Sequence, residues 1–210
     1  MSVYIPQHFA SPNDARVAQL LHDYPFATLV TPGEPEPLVT HLPLLLGADG
    51  GPYGTLFGHF ARANPHARSE ATGESVAIFH GPHAYVTPSW YADPAAAVPT
   101  WNYAVAHLHG VIELATDPAE TRAVLDMLVE RFESDRVAPW QLGLAPDRLA
   151  AMVNAIVGFK MRVTRIEAKF KLSQNRSPDD QRRVAAGLAA EGYAEATATA
   201  EWMREVNGSK

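Results

Sequence analysis

The sequence predicts an α+β fold that is mainly antiparallel β, a small barrel with inserted and C-terminal helices. Three observations favour this class. About six or seven short runs of β-forming residues recur along the chain, turns rich in Gly and Pro separate them, and they do not alternate with helices as parallel strands do. With 210 residues and 47% hydrophobic content, the chain is long enough to bury a sizeable core.

Composition rules out several kinds of site. The chain has no cysteine, so disulfides, thiolate zinc sites and a cysteine nucleophile are excluded. No apolar run reaches membrane-spanning length and the N-terminus lacks the pattern of a signal peptide, so we expect a cytoplasmic protein with no membrane partner. The formal net charge of -6 argues against broad electrostatic attachment to nucleic acid.

In the N-terminal half we predict one helix followed by strands. Ser11 is the expected N-cap, Pro12 takes the first helical position, and Pro25 ends the helix. The Gly-rich segment 47–54 is expected to be a turn, because it has neither the G-x-G-x-x-G spacing nor the Gly-Lys-Ser/Thr ending of a phosphate loop. The expected strands of this half cover residues 26–30, 38–46, 55–60, 75–79 and 84–87.

The C-terminal half is predicted to add two strands, over residues 101–114 and 159–172, and three helices. Asp117 is the N-cap of the first helix. The second begins near Pro146 and stops at Gly158. The third opens at Ser177 and runs to about residue 191, and we expect the residues after it to be a partly ordered extension.

Residues 58–68, GHFARANPHAR, have the composition of an anion-binding corner. A strand ends at Phe60 and small residues follow it, which allows close backbone approach, while Arg62 and Asn64 supply hydrogen-bond donors. An ordinary loop with an Asn-Pro turn is the competing interpretation.

The segment from His80 to Gly110 concentrates the unusual side chains of the protein. It contains two of the four Trp, three of the seven Tyr and four of the nine His. Aromatic faces beside hydroxyl and amide groups are typical of a wall that holds a planar ligand with polar edges. The competing interpretation is a pair of loops with aromatic plugs and buried histidines.

Two further patterns bear on ligands. His107 and His109 share one face of the predicted strand, but no cysteine or close acid completes a metal site, so we assign no metal ligand. Between Lys160 and Arg183 lie eight of the 17 basic residues against three acidic ones. A solvated charged face is the usual explanation, and an anion site in the earlier part is the alternative.

Six segments together resemble one family over nearly the whole chain. They are YIPQHF, GHFARANP, HAYVTPSWY, VPTWNYAV, IVGF and KFKLSQNR. In this order they resemble the PaiB-type family of FMN-binding negative transcriptional regulators. The resemblance implies a flavin-binding split β-barrel. We expect this domain, with its inserted helices, over residues 1–176 and a C-terminal helical extension over 177–210. It also implies a homodimer with the flavin near the subunit interface and, in some members, repression of degradative-enzyme and sporulation genes.

The resemblance also suggests which residues hold FMN. Arg62, with the backbone of Ala63 and Asn64, is the candidate phosphate corner, assisted by Lys171 or Arg176. His59 either meets the phosphate or caps a strand. The residues assigned to the ring environment and to its polar edges are Trp90, Trp101 and Tyr103, then Thr87, Ser89, Asn102 and Gln174.

Three functions compete at this stage. The first is an FMN-binding regulator; its contact with DNA rests on the resemblance alone, because no helix-turn-helix or basic recognition helix is evident. The second is an FMN-dependent oxidoreductase of the flavin reductase or pyridoxine-phosphate-oxidase-like type. No acid–base pair stands out for it, so we assign no catalytic residue. The third is a haem or metal binder that uses His41, His59, His107 or His109.

Overall fold

The computed structural model describes residues 3–11, 13–48, 50–68 and 73–208. In this part of the chain, seven strands form one antiparallel sheet in the order β2-β1-β5-β6-β7-β4-β3. The strands are β1 Phe26–Thr31, β2 Leu38–Pro43, β3 Leu45–Gly47, β4 Thr55–Ala61, β5 Ser75–Val86, β6 Thr100–Leu114 and β7 Ile156–Lys171. The helices are α1 Asp14–Asp23, α2 Pro118–Glu133, α3 Pro146–Asn154, α4 Pro178–Ala190 and α5 Ala194–Asn207. The predicted α+β, mainly antiparallel class is confirmed.

The contacts within the chain define two compact units. Unit 1 comprises Met1–Tyr24, Phe79–His107 and Glu167–Lys210, and unit 2 comprises Pro25–Ile78 and Leu108–Ile166. Strands β5, β6 and β7 each contribute residues to both units. The domain boundary expected after residue 176 stays a prediction.

The core of unit 1 is built from α1, the sheet and the two C-terminal helices. Leu20 of α1 and Phe170 of β7 are fully buried, and Trp202 of α5 stacks on Phe170 with 5.7 Å between ring centroids. On α4, Val184 and Leu188 recur at helical spacing and are also fully buried. The apolar faces of α4 and α5 therefore belong to the same core as the end of β7.

The start of α1 differs from the prediction. Asn13 is the N-cap, and its side-chain oxygen accepts a hydrogen bond from the backbone N–H of Arg16 at 2.9 Å. Ser11 instead donates its hydroxyl to the carbonyl of Asn13, so the Ser11 cap is wrong. Asn caps a helix as well as Ser does, so the sequence pattern alone could not distinguish the two caps. Pro12 lies outside the described residues.

The end of the chain also differs from the prediction. Residues expected to be a partly ordered extension form α5, which buries Ala196, Ala200, Trp202 and Met203. Alanine favours a helix and threonine opposes it, so propensity alone does not decide the conformation of this Ala- and Thr-rich sequence. Its small residues allow close packing against the core, and this tertiary contact stabilises the helix.

Two boundaries in unit 2 are corrected as well. The second C-terminal-half helix, α3, ends at Asn154 and β7 begins at Ile156, so Gly158 lies inside a strand and does not stop a helix. A Cβ at Gly158 would lie 2.9 Å from the Cα of Thr121, so glycine permits the close approach of α2. The single strand expected over 38–46 is two strands, because β2 pairs with β1 and β3 pairs with β4.

No helix in the described part of the chain is both long enough and apolar enough to cross a membrane.

The packing of α5 gives a stability prediction. Trp202→Ala should lower the free energy of unfolding by about 3–5 kcal/mol, because it removes a buried aromatic side chain. Trp140→Ala is the control; this Trp is 50% exposed, and its loss should cost less than about 1 kcal/mol. Urea denaturation measures both, and equal losses would mean that α5 is not part of the core.

Candidate functional site

Unit 1 contains a cluster of three cations where β7 ends. The side chain of Lys169 is buried, and its ammonium lies 5.6 Å from the ring centroids of both Tyr4 and Tyr103. Two residues further on, Lys171 donates to the hydroxyl of Thr100 at 2.6 Å and to the carbonyl of residue 101 at 2.5 Å. The guanidinium carbon of Arg176 lies 4.8 Å from the ring centroid of Tyr91.

The electrostatics of this cluster favour an anion. Burial lowers the pKa of Lys171 below its ordinary value, and the nearby positive charges of Lys169 and Arg176 lower it further. Desolvated like charges raise the free energy of the protein unless a negative partner offsets them. An ammonium has three N–H donors, and the two protein contacts of Lys171 leave one for a ligand. A phosphate is a suitable partner.

An aromatic groove adjoins the cluster. Trp101 is 53% exposed, and its ring lies 6.1 Å from that of Tyr85 in a T-shaped arrangement and 6.3 Å from that of His83. The groove has a volume of about 450 Å³, which suits a small cofactor. Its lining consists of His80, Gly81, His83, Trp101, Tyr103, Ala104 and Val105. Tyr103 thus contacts both the groove and the ammonium of Lys169.

The turn after β7 has an unusual backbone. Ser173 is buried and has a φ of 67°, the left-handed region. The amide of Asn102 donates to the Ser173 hydroxyl at 2.9 Å. Gln174 folds back on its own strand, accepting from the N–H of Leu172 and donating to the carbonyl of Phe170. The flavin-edge roles of Asn102 and Gln174 stay predictions.

The segment after β5 provides less for a ligand. Thr87 caps a short 3₁₀ helix over Pro88–Trp90, accepting from the N–H of Ser89. The ring of Trp90 packs on α4, where a Cβ at Gly187 would lie 2.4 Å from it. Trp90 is therefore partly committed to the α4 contact, and the roles assigned to Thr87, Ser89 and Trp90 stay predictions.

The predicted phosphate corner lies in unit 2. The guanidinium of Arg62 donates to the backbone carbonyls of Asn154 and Ile156, so the described contacts fix it without a carboxylate. Asn64 caps a short 3₁₀ helix by accepting from the N–H of His66, and its amide donates to Thr40. Ala63 is exposed beside them. The corner is well ordered by hydrogen bonds, and its binding of phosphate stays a prediction.

His59, also in unit 2, is poorly suited to an anion. Burial lowers the pKa of its ring below the ordinary value, so the neutral form predominates at neutral pH. Its Nδ1 atom is buried with no hydrogen-bond partner among the described residues. A neutral imidazole contributes no charge to phosphate binding.

Sequence reasoning assigned Lys171 but missed Lys169 and Ser173. The alternation of β7 gives Lys169 and Lys171 the same parity, so a search for paired cations on one face could have found Lys169. No pattern marks Ser173, because a left-handed serine depends on contacts from distant segments.

The comparisons with known proteins define the class. A family model described as "Putative FMN-binding domain" matches residues 3–165, and the chain belongs to this FMN-binding family. Membership confirms the resemblance read from the motifs and confirms FMN as the cofactor. The cation cluster and the aromatic groove fit this cofactor, which carries a phosphate and a flat ring.

Particular relatives extend the comparison. The chain is 36% identical, over 206 residues and 97% of each protein, to "Protease synthase and sporulation protein PAI 2" of Bacillus subtilis (strain 168). Among solved structures it is similar to the FAD and heme binding protein from Mycobacterium smegmatis, at 20% identity and a TM-score of 0.60 over 88% of this chain and 80% of that one. It is also similar to the flavocytochrome Anf3 from Azotobacter vinelandii, at 15% identity and a TM-score of 0.61 over 84% of this chain and 77% of that one. These structures confirm the split-barrel fold.

The lowered pKa of Lys171 gives a pH prediction. The preference for FMN over riboflavin should fall as pH rises from about 7 towards about 10, because Lys171 loses its charge before an ordinary lysine does. Both ligands carry the same ring, so ring titration cancels in the ratio of dissociation constants. Lys171→Arg keeps its charge throughout this range and should keep the preference. A constant wild-type ratio, or the same fall in Lys171→Arg, contradicts the assignment.

Proposed function

We propose that this protein is an FMN-binding negative transcriptional regulator of the PaiB type, acting in the cytoplasm as a homodimer with the flavin near the subunit interface. The observation that carries the proposal is the desolvated cation cluster beside an aromatic groove. The regulatory role is supported by the relative of this chain in Bacillus subtilis, whose name links that relative to protease synthesis and sporulation.

In this proposal each side chain has one task. Lys169, Lys171 and Arg176 bind the phosphate, because three cations concentrate positive potential where the pKa of Lys171 is already lowered. Trp101 and Tyr103 face the isoalloxazine ring, since indole and phenol rings stack on flat ligands. When bound, FMN supplies redox chemistry, and the groove orients its ring. The Arg62 corner is the alternative phosphate site.

The proposed homodimer is supported by exposed aromatic surface in unit 1. Trp101, Tyr85 and Val98 are large apolar side chains that are at least 43% exposed. Apolar surface grouped beside a ligand groove is typical of an interface. Pairing of two copies over this surface would also exclude water from the groove.

Helices α4 and α5 form a C-terminal hairpin whose short turn resembles that of a helix-turn-helix. The hairpin lacks the positive surface charge of a DNA-binding motif. Gly192, with a φ of 77°, lies in the short turn between the helices. However, Arg182 and Arg183 pair with Asp179 on the same helix. The exposed face of α5 carries Glu195, Glu201 and Glu205. An acidic second helix is unsuited to a major groove, so the regulatory proposal does not assign operator recognition to this hairpin.

A flavin-dependent oxidoreductase is the second candidate. His80 and His83 line the groove beside Trp101, and a histidine next to a flavin ring can supply or accept a proton. His83 Nδ1 lies 3.9 Å from a carboxylate oxygen of Glu195. This arrangement would suit a reductase of the pyridoxine-phosphate-oxidase-like type.

One pair of experiments separates the two candidates. A regulator should form a specific complex with operator DNA from its own promoter region in a gel shift at about 150 mM salt, and it should lose that complex to unlabelled operator. An oxidoreductase should instead be reduced rapidly by NADH or NADPH without oxygen. Turnover without specific DNA binding would exclude the regulatory proposal.

A second experiment decides between the two phosphate sites. Lys171→Met should weaken FMN at least about tenfold while changing riboflavin little, because one charge-assisted contact is worth about 1.5–3 kcal/mol. Arg62→Ala should weaken both ligands equally or neither if Arg62 only fixes its own loop. If Arg62→Ala instead weakens FMN alone and Lys171→Met leaves FMN binding unchanged, the phosphate site is the Arg62 corner.

A further inference from the structure

Ser173 adopts a backbone conformation that its side chain disfavours. Among the described residues it alone is a non-glycine with positive φ, at 67°. A Cβ in this region lies close to the following carbonyl, so glycine or asparagine is usual there. Such a conformation persists only where surrounding contacts impose it, and these contacts often occur at functional sites.

The contacts that impose it come from two separate segments of unit 1. Asn102 on β6 is 1% exposed, and its amide donates to the Ser173 hydroxyl at 2.9 Å and to the sulfur of Met203 on α5 at 3.2 Å. From α4, Gln181 donates to the carbonyls of Ser173 at 3.2 Å and of Arg176 at 3.0 Å. The turn is thus fixed from β6 on one side and from the C-terminal hairpin on the other.

The turn connects two members of the cation cluster. Lys171 lies two residues before Ser173 and Arg176 three residues after it, and the N–H of Arg176 donates to the Ser173 carbonyl at 2.9 Å. A right-handed or extended Ser173 would send the chain in another direction and separate the guanidinium from the ammonium. The left-handed residue therefore determines how the two cations converge.

We propose that Asn102 is a positioning residue for the phosphate of FMN. It holds Ser173 in the left-handed conformation and so keeps Lys171 and Arg176 aimed at one anion. This inference rests on the proposed phosphate site at the cation cluster. It makes the hairpin of α4 and α5 a structural part of the cofactor site, because Met203 and Gln181 complete the same set of contacts.

The test compares FMN with riboflavin, which lacks the phosphate. Asn102→Leu, which keeps the branched shape but has no hydrogen-bonding group, should weaken FMN roughly tenfold and riboflavin less than about twofold, as expected for the loss of one or two hydrogen bonds that orient a charge. Fluorescence titration gives both dissociation constants, and a thermal melt verifies that the variant is folded. A residue that only filled the core would affect both ligands in the same proportion.

A matched control comes from α5. Thr199 is fully buried and donates its hydroxyl to the carbonyl of Glu195 within its own helix. Thr199→Val therefore disturbs the hairpin without touching the turn. It should lower the melting temperature and leave the ratio of FMN to riboflavin affinity unchanged.

A rescue variant tests the backbone argument directly. Glycine enters the left-handed region without a steric penalty, so adding Ser173→Gly to Asn102→Leu should recover at least about threefold in FMN affinity. Should Asn102→Leu fail to fold, Ser173→Ala removes the same hydrogen bond from the other side, and the same ratio is measured.

The outcomes separate this inference from the proposed function. If the wild type binds FMN no better than riboflavin, the proposed phosphate site fails and the positioning role fails with it. If the wild type prefers FMN but Asn102→Leu keeps the full preference, or weakens both ligands equally, only the positioning role of Asn102 is overturned.

Discussion

The burial of positive charge at the end of β7 is the constraint on which this account depends. Lys169 is almost removed from solvent, and the pKa of Lys171 is lowered by burial and by its cationic neighbours. A protein gains no stability from such an arrangement without an anion. The surrounding structure nevertheless maintains it, since Lys171 donates hydrogen bonds to the hydroxyl of Thr100 and to the carbonyl of residue 101. We interpret this unfavourable charge burial as preparation for the phosphate of FMN.

The rest of unit 1 supports that cluster. The left-handed turn after β7 is fixed by Asn102 and by α4, and Trp202 anchors α5 against the same strand through Phe170. The C-terminal helices therefore stabilise the proposed phosphate site, although the family model ends before them, at residue 165. Their acidic and internally paired surface gives no reason to assign them to DNA, and repression by this family member would need another contact surface or another partner.

Local signals predicted much of the fold, and distant contacts account for the rest. Alternating residues predicted the strand containing Trp101, and Ser177 marked the start of α4 as its N-cap. The tail was mistaken for an extension, because the burial of Trp202 depends on a strand more than thirty residues earlier in the chain. The same limit applies to the site. Lys171 and Trp101 could be assigned by type and motif, whereas the left-handed Ser173 results from tertiary hydrogen bonds that no local pattern encodes.

A crystal structure of the full chain with FMN is the most direct test of the account. We expect a phosphate oxygen within hydrogen-bond distance of the Lys171 ammonium, about 2.7–3.2 Å, with Arg176 on the same phosphate and the ring against Trp101. A phosphate bound at Arg62, with Lys171 still engaged only by Thr100 and residue 101, would contradict the central claim.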